Sequence, residues 1–434
     1  MPILTQAEYQ IGDMLVRYQA PADRPEAWGL CLLPADRHDH AVAPREWLDS
    51  PAIRQLPSPW NQTRAWEVDP LVHAHLSGDV LPGAFSQGRT LRNSATTGQL
   101  TVVSHTREAL PHGAVRLVTV VAHPRGLRCT HELVAKPGEG NVTIRVTTEN
   151  AGSSPLTLDY LSAFSLGGLT PFASDDAAGQ LWVHRFRSAW SAEGRLDSQP
   201  VEALLLERSW TGHAARSERF GQSGSLPVNG WFPWVALEDR GAGVTWAAQL
   251  ATPGSWHLEV YRRADQLALS GGGADRLSGE WRKTLAPGES WSAPPARLTV
   301  CTGNLDAACD RLLAAARVPA QPQPPSEKNL PIVFNEWCTS WGNPTHASVV
   351  ALADRLAGTG VRYLVIDDGW AERPGNHFQQ NGDWRGEPRA FSRGFGGHHR
   401  CDPATRLDPR TVVRIRGRQS RFGRLARNLA PAAA

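Results

Sequence analysis

Asp367 and Asp368 stand side by side ahead of Gly369 and Trp370, Trp337 follows Asn335 and Glu336 one strand-and-helix length earlier, and Gly382-Asp383-Trp384 comes shortly after. Neighbouring carboxylates accept hydrogen bonds from several hydroxyls at once, with charge-assisted strength. An indole face matches the apolar face of a pyranose ring. The chemistry this combination offers is recognition of a sugar. An isolated aspartate pair favours a blander reading, a strand end whose carboxylates cap nearby backbone amides, and it is the company of Trp337, Trp370 and Gly382-Asp383-Trp384 that tips the balance. His38-x-His40 and His73-x-His75 each place two imidazoles on one side of an extended chain, as a metal site would. No third ligand is evident, and their polar surroundings predict solvated loop histidines.

The elements that must position the aspartates and Trp337 are legible from period and punctuation. Ile332 to Phe334 is an apolar run ending in Asn335-Glu336-Trp337, Val349 to Leu356 has helical spacing, and Tyr363 to Ile366 is apolar again and ends in Asp367-Asp368-Gly369-Trp370. That is strand, helix, strand, with both strands too apolar to leave a wetted face. Pro344 and Thr345 open the helix, and Gly358 and Gly360 close it. Ligands of parallel α/β folds bind at the carboxyl ends of the strands, where the polar and aromatic residues lie. Side chains alternate along a strand, so both aspartates reach one ligand only if the strand ends before them, and Gly369 supplies the freedom for that.

Asn-x-Trp closing one strand, Asp-Asp-Gly-Trp closing the next and Gly382-Asp383-Trp384 after them resemble the opening of the catalytic barrel in α-galactosidases of glycoside hydrolase family 36. The spacing from Trp246 to Arg262 and the segment Trp190-Ser191-Ala192-Glu193 are similar, more patchily, to the amino-terminal β-supersandwich of that family. The resemblance implies that Trp337, Asp367 and Asp368 line a galactose pocket as binding residues, the aspartates holding hydroxyls of the non-reducing sugar. The candidate substrate-binding set is Trp337, Asp367, Asp368, Trp370 and Trp384. It further implies a retaining enzyme acting on terminal α-galactosyl residues of oligosaccharides such as melibiose or raffinose, without metal or cofactor. Its nucleophile and general acid/base are carboxylates from later barrel strands, roughly 5 Å apart. A homo-oligomeric parent stays open.

From Met1 to about Thr302 the signal is of many short strands, among them Val115 to Val121, Val142 to Val146, Leu156 to Phe164, Leu181 to Phe186, Val244 to Leu250, Trp256 to Tyr261 and Leu298 to Val300. No convincing amphipathic helix interrupts them. Thirteen of the 17 Trp precede position 320, and packing between sheets explains them better than stacking on sugars. Asn304 caps a helix running through Arg317, and the prolines between Val318 and Pro325 make an extended spacer. The expected fold is multidomain, β plus α/β: a large antiparallel β-supersandwich followed by an incomplete (β/α)8 TIM barrel. Its parts are residues 1–317, a linker 318–329, the start of the barrel at 330–384, and an arginine-rich irregular tail at 385–434.

The formal charge of +3 is unevenly spread: twelve arginines against Glu387, Asp402 and Asp408 make the tail +9 and leave −6 for the rest. The main body therefore has no nucleic-acid footprint. An arginine-rich nucleic-acid arm is disfavoured by Asp402, Asp408, the interspersed prolines and the lack of interleaved aromatics. No run reaches the roughly 18 apolar residues of a membrane span. The first residues lack the basic start and apolar core of a signal peptide, so a cytoplasmic location is expected. The cysteines at 31, 129, 301, 309, 338 and 401 show no Cys-x-x-Cys and read as reduced and structural, with Cys338 a small wall residue beside Trp337.

Beyond Arg385 the helix and strand periods vanish. Lysine occurs only at 136, 283 and 328 in the whole chain, as in a GC-rich coding sequence, and the tail has the Arg, Pro, Gly and Ala bias of such a sequence in a wrong frame. The expectation is a frame lost between Trp384 and about Gly397. A barrel takes about 250 residues, whereas 105 run from Leu330 onward. The chain is thus expected to lack the catalytic aspartates and turnover. Two alternatives stand beside this: a non-catalytic carbohydrate-binding β-sandwich protein, and a related barrel glycosidase with a different sugar preference.

Overall fold

Val142 to Asn150 shows why the first part of the chain is β-structure. Val142, Ile144 and Val146 are fully buried while Thr143, Arg145 and Thr147 turn towards solvent, the period-two alternation of a half-buried strand. A computed structural model describes residues 3–40, 68–80, 90–173, 177–207, 217–263, 266–316, 324–325, 328–371 and 387–391. The chain divides into two units, Met1–Arg317 and Val318–Ala434.

In the first unit the strands are β1 (Ile3–Ile11), β2 (Met14–Pro21), β3 (Gly29–Pro34), β4 (Ala74–Leu76), β5 (Thr101–Ala109), β6 (Val115–Ala122) and β7 (Leu127–Ala135). They continue with β8 (Val142–Asn150), β9 (Leu156–Leu169), β10 (Leu181–Ser188), β11 (Arg195–Pro200), β12 (Ser217–Gln222), β13 (Gly230–Asp239) and β14 (Val244–Leu250). The last are β15 (Trp256–Arg263), β16 (Gln266–Gly273), β17 (Lys283–Leu285), β18 (Ser290–Ser292) and β19 (Ala296–Thr302). Among the described residues only α1 (Ala95–Gln99) and α2 (Leu305–Ala316) add α-helix here. Asn304 accepts a bond from the Ala307 amide at 3.3 Å, so α2 begins where the sequence places it.

The strands form three antiparallel sheets: β1-β2-β3; β11-β10-β13-β14-β19-β8-β7-β6-β5 with β18 on β8; and β12-β15-β16-β9-β17 with β4 on β9. One core joins all three, with Val16 and Leu32 from the first, Ile144, Trp246 and Leu298 from the second, and Phe164, Leu258 and Leu269 from the third. Trp246 and Trp256 are fully buried and donate their indole N–H to the carbonyls of Leu32 at 2.8 Å and Pro227 at 2.5 Å. They serve packing. At Gly271 in β16 a Cβ would come within 2.5 Å of Leu258 Cδ2, so no larger residue fits between these strands.

The other face of β15 carries charge. Leu258 and Val260 enter the core, so His257, Glu259 and Tyr261 point the opposite way, yet all three are buried, because residues 69–75 and 90–92 contribute partners to that face. Glu259 takes bonds from Arg92 Nε at 2.5 Å, Thr90 Oγ1 at 3.0 Å and Ser217 Oγ at 3.0 Å, with Arg219 Nη1 at 3.3 Å. Asp69 accepts from Tyr261 at 2.7 Å and lies 3.2 Å from His73. His73 and His75 are therefore not solvated loop residues. Both are buried, His73 against Asp69 and His75 on β4 at 3.6 Å from Asp159, whereas His38 and His40 are exposed as expected. Polar neighbours in sequence misled because the covering partners are remote in the chain.

The second unit contains β20 (Ile332–Asn335), α3 (Trp337–Ser340), α4 (His346–Leu356) and β21 (Val361–Val365). The two strands pair in parallel, Asn335 beside Val365. Thr345 caps α4 in a reciprocal box with Ser348. Val349, Ile366, Trp370 and Phe391 form the core, which thus continues past the boundary expected at Trp384. The expectation that neither strand has a wetted face is corrected: Ile332 and Val333 are 57% and 56% exposed. An apolar strand predicts a buried position only when the layers that cover it are in place. The segments 41–67, 372–386 and 392–434 lie outside the described residues, and with them Trp384, Cys401 and nearly all of the tail; so does most of the linker.

Burial drives the Glu259 carboxyl up, but Arg92 and Arg219, aided by His257, outweigh it and hold the group at about 2 against an ordinary 4.5. Asp69, also raised by burial, is brought well below the usual range by His73, Arg263 and Ser165. A carboxylate with a depressed folded pKa gives stability that is present above its unfolded pKa and lost as pH falls through the folded one. Thermal unfolding followed by circular dichroism should show the melting temperature falling as pH drops from 4.5 towards about 2. Glu259→Gln should cost about 3–5 kcal/mol at neutral pH, since it strands buried arginines, and should flatten part of that acid slope. A variant as stable as the parent at neutral pH would remove the charged layer from the account of this fold.

Candidate functional site

The backbone of the second unit delivers three of the expected residues to one edge. Strand β21 stops at Val365, so Asp367 and Asp368 lie in the turn after it and are freed from strand alternation. Gly369 makes that turn at φ +105°, and a Cβ there would sit 2.1 Å from the Gly342 carbonyl oxygen. Asn335, the last residue of β20, donates its side-chain amide to Asp367 Oδ2 at 2.7 Å, and its side-chain oxygen accepts the Trp337 backbone N–H at 2.9 Å. One amide therefore fixes the aspartate and the tryptophan beside each other.

Both aspartates also cap local backbone. Asp367 Oδ1 accepts the Asp368 N–H at 2.7 Å, and Asp368 Oδ1 accepts the Gly369 N–H at 2.9 Å. The blander alternative is thus present in the structure, and it coexists with ligand binding, because an ionised carboxylate offers about four acceptor positions. Both residues and Trp337 are half-exposed, open enough to meet a ligand and restrained enough to keep their places.

Glu336 is a site residue that pattern reading passed over. It is buried, its backbone N–H bonds to the Val365 carbonyl at 3.1 Å, and its Oε1 accepts the Asp367 N–H at 3.1 Å. A carboxylate between a strand and a tryptophan signals polarity, but only the neighbouring strand shows that it faces inward. Trp370 is 3% exposed and packs with Val349, Ile366 and Phe391, so it walls the unit from within and presents no open face to a sugar. Cys338 is exposed in α3, and Cys31, Cys129 and Cys301 are buried; Cys338, these three and Cys309 are free thiols. Among the described residues no group of three or more His, Cys, Asp or Glu could hold a metal ion.

The first unit holds a cluster with the residue types of a hydrolytic triad, and its geometry is wrong for one. The Ser165 hydroxyl donates directly to Asp69, which also takes the Tyr261 hydroxyl, and His73 Nε2 is 3.3 Å from the serine. A triad needs the histidine between the other two and an open serine. Here all four side chains are buried, and the cluster ties residues 69–73 to β9 and β15.

No family model matches the sequence. Among curated proteins it is similar to α-galactosidase 2 of Hypocrea jecorina, 22% identical over 257 residues that make up 58% of this chain and 32% of that protein. It is also similar to α-galactosidase AgaA of Geobacillus stearothermophilus, 24% identical over 276 residues covering 63% and 35%. The chain thus spans about a third of the length of the curated relatives it matches. Among solved structures, a family 36 α-galactosidase AgaA variant from Geobacillus stearothermophilus, crystallised with stachyose, superposes with a TM-score of 0.67 at 18% identity, over 92% of this chain and 55% of that one. The α-galactosidase of Lactobacillus brevis gives 0.66 at 16% identity, over 92% and 53%. By sequence the chain is similar to α-galactosidases, and by fold it is similar to those of family 36.

Proposed function

We propose that this chain recognises a terminal α-galactosyl group at the carboxyl ends of β20 and β21, as the binding half of a retaining α-galactosidase site. The observation that carries the reading is the Asn335 amide, which holds Asp367 and Trp337 together at 2.7 and 2.9 Å. In this reading the aspartates accept bonds from hydroxyls of the non-reducing sugar and Trp337 stacks on its ring. Trp384 lies beyond the described residues and joins the pocket only as a proposal. Stachyose and raffinose, bound in the solved AgaA structures, support a ligand among the small α-galactosyl oligosaccharides.

We further propose that the second unit is the opening of a (β/α)8 barrel and that this chain binds without cleaving. Hydrolysis needs two further carboxylates facing each other across the scissile bond. The acids described between Ile332 and Trp370 are Glu336, Asp354, Asp367 and Asp368; the buried Glu336 carboxylate accepts the Asp367 backbone N–H, the Asp367 carboxylate takes the Asn335 amide, and Asp354 lies on α4. Among the described residues of this unit β20 pairs with β21 alone, and the exposure of Ile332 and Val333 agrees with strand edges and faces left open there.

A second reading has one feature in its favour: a cleft in the first unit lined by Trp28, Asp23, Arg24 and Arg263, an aromatic and charged set suited to a sugar. Calorimetric titration of the whole chain separates the two. Galactose should bind, and Asp367→Asn should weaken it about tenfold or more by replacing charge-assisted bonds with neutral ones. Binding that persists undiminished in Asp367→Asn combined with Trp337→Ala would move the site to that cleft. Purified chain mixed with a nitrophenyl α-galactoside should release no nitrophenol; sustained release would sink the claim that the catalytic pair is missing.

A further inference from the structure

Trp341 is an exposed aromatic of the second unit that the galactosyl reading leaves unused. It is 67% exposed and occupies the C-cap of α3 in the left-handed region, at φ 48°. That position belongs by preference to glycine or asparagine, and a bulky residue there gives up backbone comfort. Gly342, immediately after it, is also left-handed at φ +83°, so the turn places a tryptophan beside its glycine in that region. Strain of this kind points to a use for the side chain itself.

The place of that indole is closely determined. The Trp341 backbone N–H donates to the Trp337 carbonyl at 2.8 Å, and the two rings meet edge to face with centroids 6.0 Å apart and planes at 65°. Gly342 lies under Trp337, where a Cβ would touch the ring at 3.3 Å, and its carbonyl presses on Gly369, whose own Cβ would be 2.1 Å away. The loop from Trp341 to Pro344 is therefore seated on the Asp-Asp-Gly turn. Trp341 thus adjoins the edge that Asp367 and Trp337 form, through its contact with the Trp337 ring, and is itself largely exposed.

Resting on the galactosyl reading, we infer that Trp341 is the platform of a second subsite, which stacks on the sugar joined to the galactosyl group and gives the site its preference for oligosaccharides over free galactose. The chemistry is pyranose stacking on an indole face. The two rings are close but not stacked on each other, with centroids 6.0 Å apart and planes at 65°, so the contact does not lay one indole face over the other. The bland competitor is an apolar side chain that a missing layer would cover. It predicts changes in solubility or stability and no discrimination between ligands.

Titration of the full chain with galactose and with raffinose decides the matter. Unaltered protein should bind raffinose more tightly than galactose. Trp341→Ala should weaken raffinose about tenfold more than it weakens galactose, and Trp341→Phe should recover most of that difference. Equal weakening of both sugars would make Trp341 a prop for Trp337 and overturn the subsite, as would a raffinose affinity that Trp341→Ala leaves in place. Absence of galactose and raffinose binding by the unaltered protein is a different result: it removes the galactosyl reading itself, and the subsite falls with it.

Discussion

A single side-chain amide carries the geometry of the second unit's polar edge. Parallel pairing sets Asn335 beside Val365, two residues short of Asp367, and from there its amide reaches the carboxylate on one side and the Trp337 backbone on the other. The contact with Asp367 depends on the register of β20 on β21, whereas that with Trp337 is local to the chain. Glu336 fastens the same junction from within, joining the Val365 carbonyl and the Asp367 N–H. Gly369 then lets the chain turn beneath the loop that follows α3. A one-residue slip of that pairing would send every side chain to the opposite face and dissolve the arrangement.

The first unit depends on a different constraint. Its six-stranded sheet is apolar on one side and charged on the other, and both sides are buried. Such a layer adds little net stability, because the cost of removing ions from water consumes most of their attraction. Its contacts are specific: Glu259 is matched by Arg92 and Arg219, Asp69 by His73, Ser165 and Tyr261, and these pairs tie segments remote in sequence to β15. The Ser, His and Asp found there belong to this structural role. Composition of a cluster is weak evidence for catalysis when the order of its hydrogen bonds is wrong.

Both units leave some apolar side chains open, Trp190 of the first among them at 92%. The first hides Trp246 and Trp256 completely. The second leaves Ile332, Val333 and Trp341 more than half exposed. In a closed barrel strands of this composition are covered on both faces, and the proposal of an incomplete barrel explains the first two. Trp341 asks for another explanation, because its backbone conformation is itself unfavourable and its position adjoins the aspartates.

By itself the sequence determined a great deal of the local order. Alternation at Val142 to Val146 and the runs at Val244 to Leu250 and Trp256 to Tyr261 marked strands. Asn304 and Thr345 marked helix starts, and Asn335-x-Trp337 with Asp367-Asp368-Gly369 marked a polar strand edge, because period, capping and turn chemistry are properties of neighbours along the chain. What only the tertiary structure decided was which side chains lose water and which meet. His73 and His75 became buried partners of Asp69 and Asp159, Glu336 turned inward, and Trp370 was spent on the core. Apolar Ile332 and Val333 stayed wet. Burial is fixed by segments far away in sequence, and no local pattern records whether they arrive.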